Sequence, residues 1–213
     1  MITNAIGDHM NVTSLFGIPL YFDKLNYNVV SDLETIDNLK YDIIEEGNFK
    51  ISKNTKLLHN VEFQSLKNLI DKKINFYTKE ILKVDQKINF FITTSWIVKF
   101  SKESFSNKHT HSNSIFSGIV YLKTPKNCNR IRFYKDNRFH NISYPTLELN
   151  YTESNIFNSD YWEYSPSEGD IYIFPSNLTH SVEKSMFEDT RISLAFNVYA
   201  SGEFGIHESK LII

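Results

Sequence analysis

Gly169-Asp170-Ile171-Tyr172-Ile173-Phe174-Pro175-Ser176-Asn177-Leu178-Thr179-His180 is the stretch on which the reading of this chain turns. An apolar run ends in a Pro-containing turn, and a His follows the turn. Eleven residues later Arg191-Ile192-Ser193 opens a second apolar strand, with the Arg and the Ser two apart. A strand ending at a His, beside a strand carrying a cation, suits a metal site with an anion pocket next to it. Upstream lies His109-Thr110-His111. Residues two apart in a strand point to one face. Two imidazoles on one face and a third from another strand can converge on one metal ion.

Working outward, the flanking segments read as strands. In the run 191–199, Arg191, Ser193, Ala195 and Asn197 share one face, while Ile192, Leu194, Phe196 and Val198 share the other. One face is small and polar, and the other fits a packed core. Residues 88–100 are apolar and aromatic, and Trp96 and Phe100 are expected in the core. Ser117-Gly118-Ile119-Val120-Tyr121-Leu122 is a strand broken by Thr124-Pro125-Lys126-Asn127, and 130–134 resumes with alternation. The polar, aromatic segment 135–168 is expected to be a binding loop or lid. Within it Tyr161, Trp162 and Tyr164 are candidates to cover the pocket.

Before residue 83 the period is helical. Leu66, Ile70, Ile74, Tyr77 and Ile81 recur every three or four residues and predict a helix over 61–83. Ser31 with Glu34 three residues on reads as a capping box, starting a short helix with Leu33, Ile36 and Leu39 on one face. Residues 15–22 read as a first strand at a sheet edge, because Pro19 cannot donate to a ladder. Residues 42–58 are mixed and polar, with a turn at Gly47. Helices first and strands afterwards predict a mainly β, α+β domain. Metal ligands drawn from separate strands favour a barrel or a two-sheet jelly roll. A single domain over 1–213 is expected, with helical support over 1–87 and a jelly-roll core over 88–200.

Composition agrees with a soluble globular protein rather than a disordered one. The chain has 213 residues, 41% hydrophobic and 23% charged, enough for a sizeable core. Seventeen Phe and twelve Tyr favour strands. A net charge of -2 gives no nucleic-acid footprint. Cys128 is the single cysteine, so an internal disulfide is impossible and a cytoplasmic setting is the simplest expectation. No apolar run reaches membrane-spanning length, and the first residues lack the pattern of a signal peptide.

The run His109-Thr110-His111-Ser112-Asn113-Ser114 followed by Ser117-Gly118-Ile119-Val120-Tyr121-Leu122 resembles the His-x-His…Ser-Gly-x-x-Tyr-Leu signature of a bacterial and phage group of 2-oxoglutarate- and Fe(II)-dependent oxygenases. Gly169-Asp170…Phe174-Pro175-Ser176…His180 and Arg191-Ile192-Ser193-Leu194-Ala195-Phe196-Asn197 are similar to later blocks of the same group, and Leu15-Phe16-Gly17-Ile18-Pro19 to its start. The resemblance implies a double-stranded β-helix with helices packed outside and iron in the barrel mouth. It implies His109 as first metal ligand and His180 as last. Arg191 and Ser193 would hold the distal carboxylate of 2-oxoglutarate, and Tyr121 falls where the prolyl hydroxylase branch places a co-substrate-contacting Tyr. Dioxygen is then a co-substrate, and the oxidised substrate is an unidentified small molecule or peptide.

The wider superfamily has His-x-Asp or His-x-Glu where this chain has His109-Thr110-His111. The expected metal set is therefore His109, His111 and His180, with Asn113 or Asp136 as substitutes for His111. Arg191, Ser193 and Tyr121 are the expected co-substrate set. Against these stand blander readings: surface histidines, an exposed strand Arg and a core Tyr. His9, His59, His140 and His207 have no partner pattern and read as surface residues. Two rival functions stay open beside the oxygenase. One is a cupin-like three-His metal dioxygenase without 2-oxoglutarate; the other is a non-enzymatic β-sandwich module.

Overall fold

The computed structural model describes residues 17–126, 128–135 and 150–213. In chain order it holds β1 (Tyr21–Lys24), α1 (Val30–Asp37), β2 (Tyr41–Ile44), β3 (Phe49–Ser52) and α2 (Gln64–Asn75). Then come β4 (Asn89–Phe100), β5 (Ser106–His109), β6 (Phe116–Lys123), β7 (Ile131–Tyr134) and β8 (Tyr161–Tyr164). The last long elements are β9 (Asp170–Pro175), β10 (His180–Val182) and β11 (Arg191–Ser201), before a short hairpin, β12 (Glu203–Phe204) and β13 (Leu211–Ile212).

Seven strands form one antiparallel sheet in the order β1-β9-β6-β11-β4-β3-β2, and four form a second in the order β5-β10-β7-β8. The mainly β expectation holds. The N-terminal part is not helical throughout, since β1, β2 and β3 extend the larger sheet.

Alternation along β11 explains the layering. Ile192, Leu194, Phe196 and Val198 turn outward and join Ile97, Val120, Ile171 and Ile173 of neighbouring strands. Against them pack Leu66, Ile70 and Ile74 from one face of α2. Each such side chain, fully buried, contributes roughly 1.5–3 kcal/mol relative to exposure. The opposite face of the large sheet meets the small sheet through a second core of Tyr121, Tyr172 and Phe174 on one side and Ile131 and Phe133 on the other. Phe133 and Phe174 meet edge-to-face at 5.0 Å. Between the two sheets, Arg191, Ser193, Ala195 and Asn197 face inward.

Some local expectations are corrected. The 61–83 helix is three pieces: a 3-10 turn at Val61–Phe63, then α2, then a π-helical turn at Phe76–Ile81. The Thr78 hydroxyl donates to the Ile74 carbonyl at 2.8 Å. That bond competes for an acceptor of the helical ladder and favours a wider last turn. The wider turn shifts the phase, so Tyr77 is buried while Ile81 is 52% exposed. Ser31 is not the cap of α1. The helix starts one residue earlier, and the Val29 carbonyl accepts from the amides of Asp32 and Leu33 at 2.8 and 3.2 Å. Residues 42–58 contain the β2–β3 hairpin, with Asn48 at a φ of 51° beside Gly47. The first strand begins at Tyr21, after Pro19, and lies at the sheet edge as expected. Trp96 is half-buried rather than core, whereas Phe100 is buried. Within 135–168, residues 150–168 hold β8. His9, residues 15 and 16, Asn127, Asp136 and His140 lie outside the described residues. His59 and His207 are exposed. Among the described residues no helix is long and apolar enough to cross a membrane.

Gly118 sits opposite Phe196 in the β6–β11 pair. A Cβ there would lie 2.2 Å from the Phe196 ring, which is itself buried. Gly118→Ala is expected to cost roughly 1–3 kcal/mol of stability through overpacking, read by urea denaturation. An unchanged midpoint would contradict this packing.

Candidate metal centre

The site begins with strand pairing. β10 lies between β5 and β7, so His180 pairs directly with His109 on one side and with Phe133 on the other. The turn before His180 is closed by the Leu178 amide on the Pro175 carbonyl at 2.9 Å. His111 is not on the β5 strand itself. It follows β5 in the loop, where its amide donates to the Ser176 carbonyl at 2.9 Å. Buried hydroxyls tie this loop down: Ser176 bonds Ser114 and Ser117, each at 2.8 Å, and Ser117 donates to Asn197 Oδ1 at 2.8 Å.

One nitrogen from each of His109, His111 and His180 lies within 4.8 Å of the others. His180 Nδ1 donates to the Leu178 carbonyl at 2.9 Å, and His109 Nδ1 to the Asn107 carbonyl at 2.8 Å. A carbonyl can only accept, so both rings carry their proton on Nδ1 and present a bare Nε2. That is the tautomer a metal ligand needs, fixed by the bond on the other ring nitrogen. His111 Nε2 lies 3.3 Å from His180 Nε2. Nitrogens binding one ion at about 2.1 Å each sit within about 4 Å of one another; the His111–His180 pair has that spacing, and a set of three imidazoles is one that a divalent transition metal takes. His180 is buried, His111 half-buried and His109 exposed, so the cluster opens to one side. The Trp96 ring stands 5.9 Å from the His111 ring on that cluster. Sequence reading missed this, although Trp96 shares the strand face of Val98, which pairs with inward-facing Ser193.

On the facing sheet, β11 and β6 gather a second group of residues. Ser193 and Tyr121 are direct cross-strand partners, and Arg191 pairs with Phe100. The Arg191 guanidinium is 2% exposed and stacks near the Phe100 and Tyr121 rings at 4.4 and 5.4 Å. Its Nη1 donates to Asn129 Oδ1 at 3.3 Å. Among the described residues no carboxylate pairs with it. Among the described residues, Arg191 Nε, Ser193 Oγ and Tyr121 Oη are buried without a hydrogen-bond partner, as is Thr94 Oγ1. Burial lowers the Arg191 pKa and raises that of Tyr121. An unpaired buried guanidinium and two idle hydroxyls are an expensive arrangement without an anion.

Other expected residues lie elsewhere. Asn113 takes a φ of 55° in an exposed turn. Tyr161 and Trp162 are each 45% exposed on β8, and Tyr164 packs on Tyr172 at 5.5 Å.

Residues 94–197 match a protein family described as "Putative 2OG-Fe(II) oxygenase". Over this segment, just under half of its length, the chain is similar to that family. No curated protein is similar to this chain in sequence. Solved structures similar to it include a 2OG-Fe(II) oxygenase family oxidoreductase from Burkholderia pseudomallei, 14% identical over 79% of this chain and 78% of that one, with a TM-score of 0.52. HygX from Streptomyces hygroscopicus, solved with nickel, 2-oxoglutarate and hygromycin B, is 12% identical over 85% and 82%, at 0.58. A Pseudomonas putida prolyl-4-hydroxylase is 13% identical over 84% and 92%, at 0.52. At these identities the likeness shows the fold, a double-stranded β-helix.

Burial pushes the His180 pKa down to about 3 and that of His111 to about 4, with the charge of His109 a lesser cause for both. An unfolded His titrates near 6.5. Below that pH the unfolded chain binds more protons than the folded one, so stability is full above about pH 6.5 and is lost on acidification. For the metal-free protein, His180 and His111 are each expected to remove roughly 2 kcal/mol between about pH 6.5 and about pH 5. Urea denaturation with a chelator present checks this; a flat profile would contradict it.

Proposed function

We propose that this protein is a 2-oxoglutarate-dependent oxygenase that binds Fe(II) through His109, His111 and His180 and holds 2-oxoglutarate with Arg191, Ser193 and Tyr121. The observation that carries the reading is the buried Arg191, without a carboxylate partner among the described residues, beside two unpaired hydroxyls. A planar guanidinium fork matches a carboxylate bidentately. Ser193 and Tyr121 each add a hydroxyl donor to the same anion. A three-His dioxygenase without a keto-acid would account for the imidazoles and leave this charge unexplained.

The chain's own work is positioning. The Nδ1 bonds of His109 and His180 leave their Nε2 atoms bare, and the Ser114–Ser117–Ser176–Asn197 network holds the loop that carries His111. The anion clamp fixes one end of the co-substrate from a neighbouring strand. The aromatic wall of Phe133, Phe174 and Tyr172 keeps water from the floor. When bound, Fe(II) with 2-oxoglutarate and dioxygen supplies the oxidative decarboxylation that gives succinate and carbon dioxide and oxidises a substrate C–H bond; the hard chemistry belongs to the cofactor. Trp96, half-buried beside His111, lines the side from which a small-molecule or peptide substrate enters. A cytoplasmic setting and the absence of a nucleic-acid role belong to the same proposal, supported by the lone buried Cys128 and the net charge of -2.

Two variants separate the halves of the site. His180→Ala is expected to abolish Fe(II) binding while the fold survives, measured by anaerobic titration. Arg191→Ala is expected to retain Fe(II) but bind 2-oxoglutarate roughly thirty-fold more weakly or worse, since a lost buried charged contact costs about 2–5 kcal/mol. Arg191→Lys should recover this only in part, because an ammonium cannot form the fork. Calorimetry reads the affinities. No heat from 2-oxoglutarate with the wild type would contradict the proposal; equal affinity in wild type and Arg191→Ala would move the clamp elsewhere.

A further inference from the structure

We propose that Asn129 is a positioning residue that keeps Arg191 available to an outside carboxylate: it orients the guanidinium through a neutral amide and leaves its charge uncompensated. The inference rests on the reading of Arg191 as the anchor for 2-oxoglutarate.

Asn129 is 5% exposed and lies just before β7. Its Nδ2 donates to the Glu183 carbonyl at 2.8 Å, and its Oδ1 accepts from Arg191 Nη1 at 3.3 Å. The carbonyl can only accept, so the amide orientation is fixed and its oxygen must face the guanidinium. This is the one hydrogen bond to Arg191 among the described side chains, and it is long and neutral at the acceptor. The neighbouring groups add no counter-charge. Cys128 is buried, its thiol pushed up by burial and turned to the Pro166 carbonyl at 3.4 Å. The buried carboxylate of Asp170 is taken by the Ser167 amide at 2.7 Å and Lys24 Nζ at 3.7 Å. An Asp at position 129 has the same shape as the Asn. It would place a carboxylate where Oδ1 now sits, complete an internal ion pair and remove the attraction for an external anion, while losing the bond donated to the Glu183 carbonyl. The amide therefore gives orientation without competition.

The test uses two keto-acids that differ only at the distal end: 2-oxoglutarate, and 2-oxopentanoate, which has a methyl group in place of the distal carboxylate. Affinities are measured by anaerobic calorimetry on the Fe(II)-loaded full chain. Asn129→Asp is expected to weaken 2-oxoglutarate at least about tenfold and to leave 2-oxopentanoate within about twofold. Asn129→Ala is expected to weaken 2-oxoglutarate several-fold, with 2-oxopentanoate unchanged. General damage to the fold would weaken both ligands together, and that result in either variant overturns the proposal. So does wild-type affinity for 2-oxoglutarate in Asn129→Asp. If the wild type itself does not discriminate between the two keto-acids, the anchoring role of Arg191 fails instead.

Discussion

A guanidinium buried between two sheets with no carboxylate partner among the described residues is the constraint on which the arrangement depends. Removing such a charge from water costs several kcal/mol unless it is paired. Arg191 is held there by its place on β11, whose outward residues Ile192, Leu194, Phe196 and Val198 anchor the large sheet to α2. Turning Arg191 outward would require a one-residue slip of the strand. That slip would bring every one of those apolar side chains to the wrong face. Hydrophobic register thus fixes a charge in a position it would not choose alone.

The same logic places the imidazoles. β10 is three residues long, yet it sits between β5 and β7 and is fully buried. His180 is buried because its strand is central, and its ring lies against the Leu178 carbonyl, the neighbouring imidazoles and the rings of Phe133 and Phe174. His109 and His180 are carried by one sheet, and Arg191, Ser193 and Tyr121 by the other. Their spacing is set by the aromatic core of Tyr121, Phe133, Tyr172 and Phe174. Distances in the site follow from side-chain volumes in that core.

Much of this was legible in the sequence, for identifiable reasons. Alternation along β11 and the apolar face of α2 are strong periodic signals, and both survive in the structure. The three histidines and Arg191, Ser193 and Tyr121 stood out through their spacing and through resemblance to the oxygenases. What failed was local. Ser31 was misread as a cap because a backbone start one residue earlier leaves no mark in the sequence. The π turn after Asn75 was invisible because the helical period continues through Ile81 in the chain but not in space. The convergence of His111 depends on a loop bond to Ser176, which no strand pattern reveals. Asn129 and Trp96 were missed because their roles arise from partners 62 and 15 positions away in sequence.

A crystal structure of the full chain grown anaerobically with Mn(II) in place of Fe(II), and with 2-oxoglutarate, would test the central claim most directly. The expected result is one metal ion bonded to His109, His111 and His180, with the distal carboxylate of 2-oxoglutarate on Arg191 and within hydrogen-bond reach of Ser193 and Tyr121. A metal bound away from the three imidazoles, or an Arg191 paired to a protein carboxylate with the co-substrate elsewhere, would contradict it.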